Sequence, residues 1–165
     1  MMGKPEKKKQ PGVPEAPSIK STKEAPHLLR GMKDLLPQDA PWWDYVEDAA
    51  RRVSREGGYE RLEPPHVEDV RLFIRSVGKE TDIVEKELFS FVDQGGDTVA
   101  LRPEFTAGMA RAYIEHGFVN MPQPVRLYTL GSVFRYERPQ AGRFREHHQW
   151  SVEVIGDQHP ILDAE

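Results

Sequence analysis

An α+β domain, built on an antiparallel sheet flanked by helices, is predicted by three observations in this 165-residue sequence. Two short β-like runs, 88–92 and 98–101, flank the turn sequence Asp93-Gln94-Gly95-Gly96-Asp97 and read as a hairpin. Two longer β-like runs, 125–137 and 147–155, flank a charged loop, 138–146. Segments of helical periodicity separate these pairs, which favours helices packed on one side of an antiparallel sheet.

The elements follow in order. Asp39 followed by Pro41 marks a helix start, because proline is pre-set for a first turn. Trp42, Tyr45, Val46, Ala49, Ala50 and Val53 recur at helical spacing, and Gly57-Gly58 ends the run. Residues 59–62 are short and β-like before Pro64-Pro65. Thr106 is expected to cap a second helix that carries Met109, Ala112 and Tyr113 and stops at Gly117. A further helix is expected to begin near Pro160.

Composition narrows the function. Charged residues make up 30% of the chain and cysteine is absent, which excludes disulfides, thiolate metal sites and cysteine nucleophiles. No apolar run approaches the ~18 residues of a membrane span. The first 26 residues hold six Lys, three Glu and five of the 14 Pro, with no aromatic residue, while the whole chain carries a net charge of -4. Residues 1–27 therefore read as a disordered Lys/Pro-rich tail, since such a stretch cannot bury enough apolar surface to offset its ordering entropy. Lys7-Lys8-Lys9 could touch RNA phosphates or act only as a solubilising extension.

The last hairpin carries the chemistry. Side chains alternate faces along a strand, so Arg135 and Glu137 are expected to share a face. In the returning strand His147, Gln149, Ser151 and Glu153 share one face; His148, Trp150, Val152 and Val154 share the other, which reads as a packing face. A row of charged and hydrogen-bonding groups in mid-strand, overhung by Arg138, Arg143 and Arg145, suits an anionic ligand, above all a nucleotide. A solvated face of a two-sided sheet gives the same pattern, and spacing alone does not separate the two.

Four motifs occur in one order: Arg30-Gly31-Met32-Lys33-Asp34-Leu35-Leu36-Pro37, the run 84–91, Leu101-Arg102-Pro103-Glu104-Phe105-Thr106-Ala107-Gly108, and Phe134-Arg135-Tyr136-Glu137-Arg138-Pro139-Gln140-Ala141-Gly142-Arg143. Together they resemble the N-terminal part of the histidyl-tRNA synthetase catalytic domain, a class II aminoacyl-tRNA synthetase, over residues 28–165. The resemblance implies an antiparallel sheet flanked by helices, ATP-dependent activation of L-histidine, and its attachment to tRNA(His) in the cytoplasm. It also implies Mg²⁺ accompanying ATP, no protein-held metal, and a homodimer built around a first motif whose proline matches Pro64 or Pro65.

Roles carry over by matched position. Arg135 resembles the catalytic arginine that holds the ATP α-phosphate and the substrate carboxylate. Glu137 resembles the acidic residue on the adenine side, and Arg143 the residue that reaches the γ-phosphate. Glu104, Thr106 and Gln149 resemble groups that bind the amino-acid backbone of histidine, and Glu153 the carboxylate that accepts from the imidazole N–H. His147 stands where the family usually stacks a phenylalanine on adenine. The family's third motif, its histidine-specific segments and its anticodon-binding domain do not appear in these residues. The sequence is accordingly read as a fragment, expected to be inactive alone. Two alternatives stay open: a paralogue serving as regulatory subunit of ATP phosphoribosyltransferase, and a non-catalytic dimerisation or binding module.

Overall fold

The computed structural model describes residues 25–77, 87–138 and 140–163. Most of the Lys/Pro-rich stretch and the first part of the run 84–91 lie outside the described residues. Helix α1 (Ala40–Glu56) starts after Asp39 with Pro41 in its first turn and ends at Gly57, whose N–H donates to Val53 O at 2.9 Å. Asp39 makes no side-chain capping bond. Only Ala50 and Ser54 of α1 are buried. Most of the apolar stripe legible in the sequence faces outward, with Trp42 75% and Tyr45 73% exposed.

Two three-stranded sheets follow. Strand β1 (Glu60–Arg61) runs parallel to β5 (Val125–Phe134), and β5 pairs antiparallel with β6 (Glu146–Ile155). In the second sheet β4 (Thr98–Leu101) lies between β2 (Val67–Asp69) and β3 (Ser90–Val92), antiparallel to both. The expected β3–β4 hairpin is present: Asp93 N–H donates to Asp97 O at 2.9 Å, and Gly96 takes φ +92°, a left-handed value suited to glycine. Among the described residues, the parallel β1–β5 pair is the one departure from a wholly antiparallel arrangement.

Helix α2 (Val70–Val77) was not expected. Val70, Phe73, Ile74 and Val77 follow the i, i+3, i+4, i+7 rule, but its eight residues are rich in β-branched side chains, so propensity masks the period. Asp69 starts it, accepting the Arg71 N–H at 2.8 Å and pairing with the Arg71 guanidinium. Those bonds hold the Asp69 carboxyl down at about 2. The helix that begins at Thr106 is therefore the third, α3 (Thr106–Glu115), stopping before Gly117 as the sequence indicates. Residues Pro160–Asp163 form a 3₁₀ turn.

Helix α3 fills the space between the sheets. Met109 and Tyr113 pack with Phe105, Val125, Leu127 and Val133, while Ala107 packs with Phe73 and Ala100. Gly108 brings the helix against Pro64: a Cβ there would lie 2.8 Å from Pro64 Cβ. Pro64 is buried and Pro65 exposed, so Pro64 is the proline held in the interior. Arg102, 2% exposed, ties the two sheets together. It donates to Ser132 O at 2.8 Å, Pro64 O at 2.6 Å and His66 Nε2 at 3.2 Å, and lies 4.5 Å from the Phe105 ring centroid. Burial pushes its pKa down, and the carbonyls around it satisfy its donors.

Candidate active site

The β5–β6 ladder decides which side chains meet. Leu127 pairs with Glu153, Thr129 with Ser151, Gly131 with Gln149 and Val133 with His147. Directly opposed residues project to the same side. The polar row of β6 therefore shares its side with Leu127 and Val133, the core residues beneath α3. Trp150 and Val152, on the other side, are each 46% exposed. The face read as a packing face is only half covered: Trp150 Nε1 donates to Ser54 Oγ at 3.0 Å, and Trp43 meets His148 at 4.4 Å between centroids.

The polar row reaches the start of α3. Thr106 Oγ1 donates to Glu153 Oε1 at 2.7 Å, and Ser151 Oγ reaches the same oxygen at 3.4 Å. Thr106 is consequently not the cap. Residue Phe105 holds the cap position, and Glu104 Oε1 accepts the Ala107 N–H at 3.0 Å. A carboxylate satisfies that free amide and is favoured by the positive end of the helix dipole. Gln149 is half-buried, and its side chain makes no hydrogen bond to another described residue.

Arg135 and Glu137 lie beyond the strand, which ends at Phe134, so their shared face is not a property of β5. A tight turn replaces it, Glu137 N–H donating to Arg135 O at 2.7 Å. Arg135 Nε donates to Pro103 O at 3.0 Å, which places the guanidinium beside the Pro103–Glu104 segment. His147 sits close enough to Arg135 to feel its charge. Burial, then Arg135, then His148 hold the His147 pKa below the ordinary 6.5, so the ring is neutral near neutral pH. Glu137 is nearly buried and pairs with Arg143. Arg138 is exposed, and Arg145 turns onto main-chain carbonyls.

The structure thus brings Thr106 to Glu153, Glu137 to Arg143, and Arg135 to both Pro103 and His147. A cleft of about 320 Å³ opens beside His147, between Lys33, Asp34, Trp43, Phe144 and Glu146; Arg135, Glu104 and Gln149 do not line it. Among the described residues no three His, Asp or Glu side chains gather as a metal set. No described helix is long and apolar enough to cross a membrane. Arg102, within the motif 101–108, and Ser151, in the polar row of the returning strand, carry no assigned role in the sequence reading; the structure gives each a contact.

Helices flanking a β5–β6 hairpin whose polar row meets the start of α3 define a class II aminoacyl-tRNA synthetase catalytic fold. The family model described as histidyl-tRNA synthetase matches residues 31–165. The chain belongs to that family. It is 53% identical over 136 residues to the histidine–tRNA ligase of Dehalococcoides mccartyi, covering 82% of this chain and 32% of that protein. The crystal structure of apo S. aureus histidyl-tRNA synthetase superposes with a TM-score of 0.71 at 33% identity, over 85% of this chain and 32% of that one. A Bacillus halodurans structure named as an ATP phosphoribosyltransferase regulatory subunit/histidyl-tRNA synthetase gives a TM-score of 0.68 at 31% identity, over 81% and 33%. The chain spans about a third of the length of the curated relatives it matches.

Proposed function

We propose that residues 28–165 form the ATP- and histidine-binding part of a catalytic domain that activates L-histidine and attaches it to tRNA(His). The observation that carries this reading is the Thr106–Glu153 hydrogen bond, 2.7 Å, which joins the start of α3 to the polar row of β6. With Glu153 Oε1 taken by Thr106, its second oxygen is left to accept an imidazole N–H. A ligand without that donor leaves a carboxylate oxygen unpaired, which is how such a site discriminates. Glu104 and Gln149 supply an acceptor for the α-ammonium group and an amide for the amino-acid backbone.

Arg135 supplies the charge the chemistry needs. Its Nε is anchored on Pro103 O, leaving its terminal nitrogens to hold the α-phosphate and the substrate carboxylate. In-line attack of that carboxylate on phosphorus, with pyrophosphate leaving, builds negative charge that a fixed guanidinium stabilises. Glu137 faces the adenine side, and Arg143 leaves its pairing with Glu137 to reach the γ-phosphate. The neutral His147 ring lies on the adenine. Mg²⁺, when bound with ATP, would neutralise charge on the triphosphate. The working protein is a cytoplasmic homodimer that uses α1 and the Pro64 segment as its interface, and residues 1–27 are its tail.

The name of the Bacillus halodurans protein joins the enzyme with a regulatory subunit, so a non-catalytic reading has a relative behind it. Arg135, Glu137, Arg143, Gln149 and Glu153 together favour the enzyme. A hybrid separates the two: residues 31–165 replacing the matched segment of the Dehalococcoides mccartyi ligase. Histidine-dependent exchange of pyrophosphate into ATP is the result expected. A hybrid that melts cooperatively but exchanges nothing favours the regulatory reading.

A further inference from the structure

The motif 30–37 has no part in the chemistry above, and one contact of the nucleotide loop explains its presence. Gly31 O accepts the Arg145 N–H at 2.7 Å, and Arg30 O accepts from Arg145 Nη1 at 3.2 Å. The same guanidinium donates through Nε to Glu137 O at 3.3 Å and lies 3.8 Å from the Tyr136 ring centroid. The Arg145 carbonyl accepts the Arg135 N–H at 2.8 Å. Tyr136 is held from elsewhere too, donating its N–H to Glu87 O at 2.6 Å and meeting the Phe89 ring at 5.1 Å. One residue therefore fastens the 30–31 turn, the 135–137 turn and its own end of the loop.

These contacts are unlike those of a phosphate-gripping arginine. Two of the guanidinium's donor directions end on carbonyls and one of its faces on an aromatic ring. Two of its five N–H groups are committed to these carbonyls, and turning the guanidinium fully onto a phosphate would break both bonds. From this geometry we infer that Arg145 is a positioning residue: it fastens the nucleotide loop to the Arg30–Gly31 turn, so that Arg135 and Glu137 are in place before ATP arrives. The inference rests on the nucleotide-binding reading of that loop. The motif 30–37 is then the loop's anchor, and Gly31, at φ +86°, provides a backbone turn that a side chain would strain. A pre-shaped loop loses less freedom on binding, which appears as affinity.

The test uses Arg145→Lys, Arg145→Ala and Gly31→Ala in the 165-residue chain. The first measurement is hydrogen exchange without nucleotide. All three substitutions should speed exchange at the amides of Arg135 and Arg145; unchanged protection there in any of them overturns the inference, whether or not the chain binds ATP. The second is calorimetric titration with ATP and with AMP. Loss of the fastening should weaken both by the same factor, about tenfold for two or so hydrogen bonds, and Gly31→Ala should do so although it carries no side chain near phosphate. An Arg145 substitution that weakens ATP and spares AMP makes it a phosphate ligand and overturns the inference. If the unsubstituted chain binds neither nucleotide, the nucleotide reading fails, and the exchange data still decide whether Arg145 fastens the loop.

Discussion

At the scale of single residues, the candidate site rests on half-buried charges: Glu104, Arg135 and Glu153 are partly exposed, and Glu137 is buried. His147 is kept neutral by burial and by Arg135. Because its pKa is lower folded than unfolded, the unfolded chain takes the proton first as pH falls. Its contribution to stability is therefore present above pH 6.5 and is lost as pH drops below that value. Replacing Arg135 by Ala removes a repelling charge, so the NMR titration midpoint of His147 should move up; a midpoint that stays put would separate the two residues. In the hybrid enzyme Arg135→Ala should lower histidine activation by at least ~10²-fold, the scale for losing one preorganised donor. Glu153→Gln keeps the shape and the Thr106 contact but removes a charge-assisted acceptor. Histidine should bind about ten- to a hundredfold more weakly, with ATP little changed. Calorimetry on each ligand checks this, and equal losses would make Glu153 a support of the fold. Most of these residues were legible because motifs name them. Two of their contacts were not: local rules make Thr106 a helix cap, yet its hydroxyl turns to a carboxylate 47 positions away, and Glu104 caps instead.

At the scale of elements, period and punctuation worked where segments were long. Helices α1 and α3, strands β5 and β6 and the β3–β4 hairpin lie close to where alternation, Pro41, Gly57 and Gly117 put them. Strand β2 and helix α2 were not legible: a three-residue strand has almost no pattern, and Val70–Val77 satisfies strand propensity as well as helical spacing. The end of β5 was read too late because Arg135 and Glu137 continue the alternation. Contacts distant in sequence, Tyr136 to Glu87 and Arg145 to Gly31, turn the chain away at that point. Packing of α3 gives a sharp expectation. Gly108→Ala places a methyl 2.8 Å from Pro64 Cβ, and such overpacking costs about 1–3 kcal/mol. Denaturant unfolding should show it, and an unchanged midpoint would mean that α3 and the Pro64 segment are not in close contact.

At the scale of the molecule, burial is uneven. Phe105, Met109, Leu127 and Val133 are fully enclosed, whereas Trp42, Tyr45, Val46, Trp150 and Val152 are widely exposed, and β6 has one described strand neighbour. Apolar patches and open strand edges favour self-association. The isolated chain should be marginally stable, sediment as more than a monomer, and form no histidyl-adenylate at a useful rate; a monodisperse monomer with a steep thermal transition would count against this. The claim on which the functional account turns is that Arg135, Glu104, Gln149 and Glu153 make one ATP- and histidine-using site. It is tested most directly by pyrophosphate exchange in the hybrid bearing residues 31–165, with all twenty amino acids offered separately. Exchange with histidine alone, lost on Arg135→Ala and specifically weakened for histidine by Glu153→Gln, is the predicted result; a cooperatively folded hybrid whose exchange is absent, or indifferent to both substitutions, would contradict it.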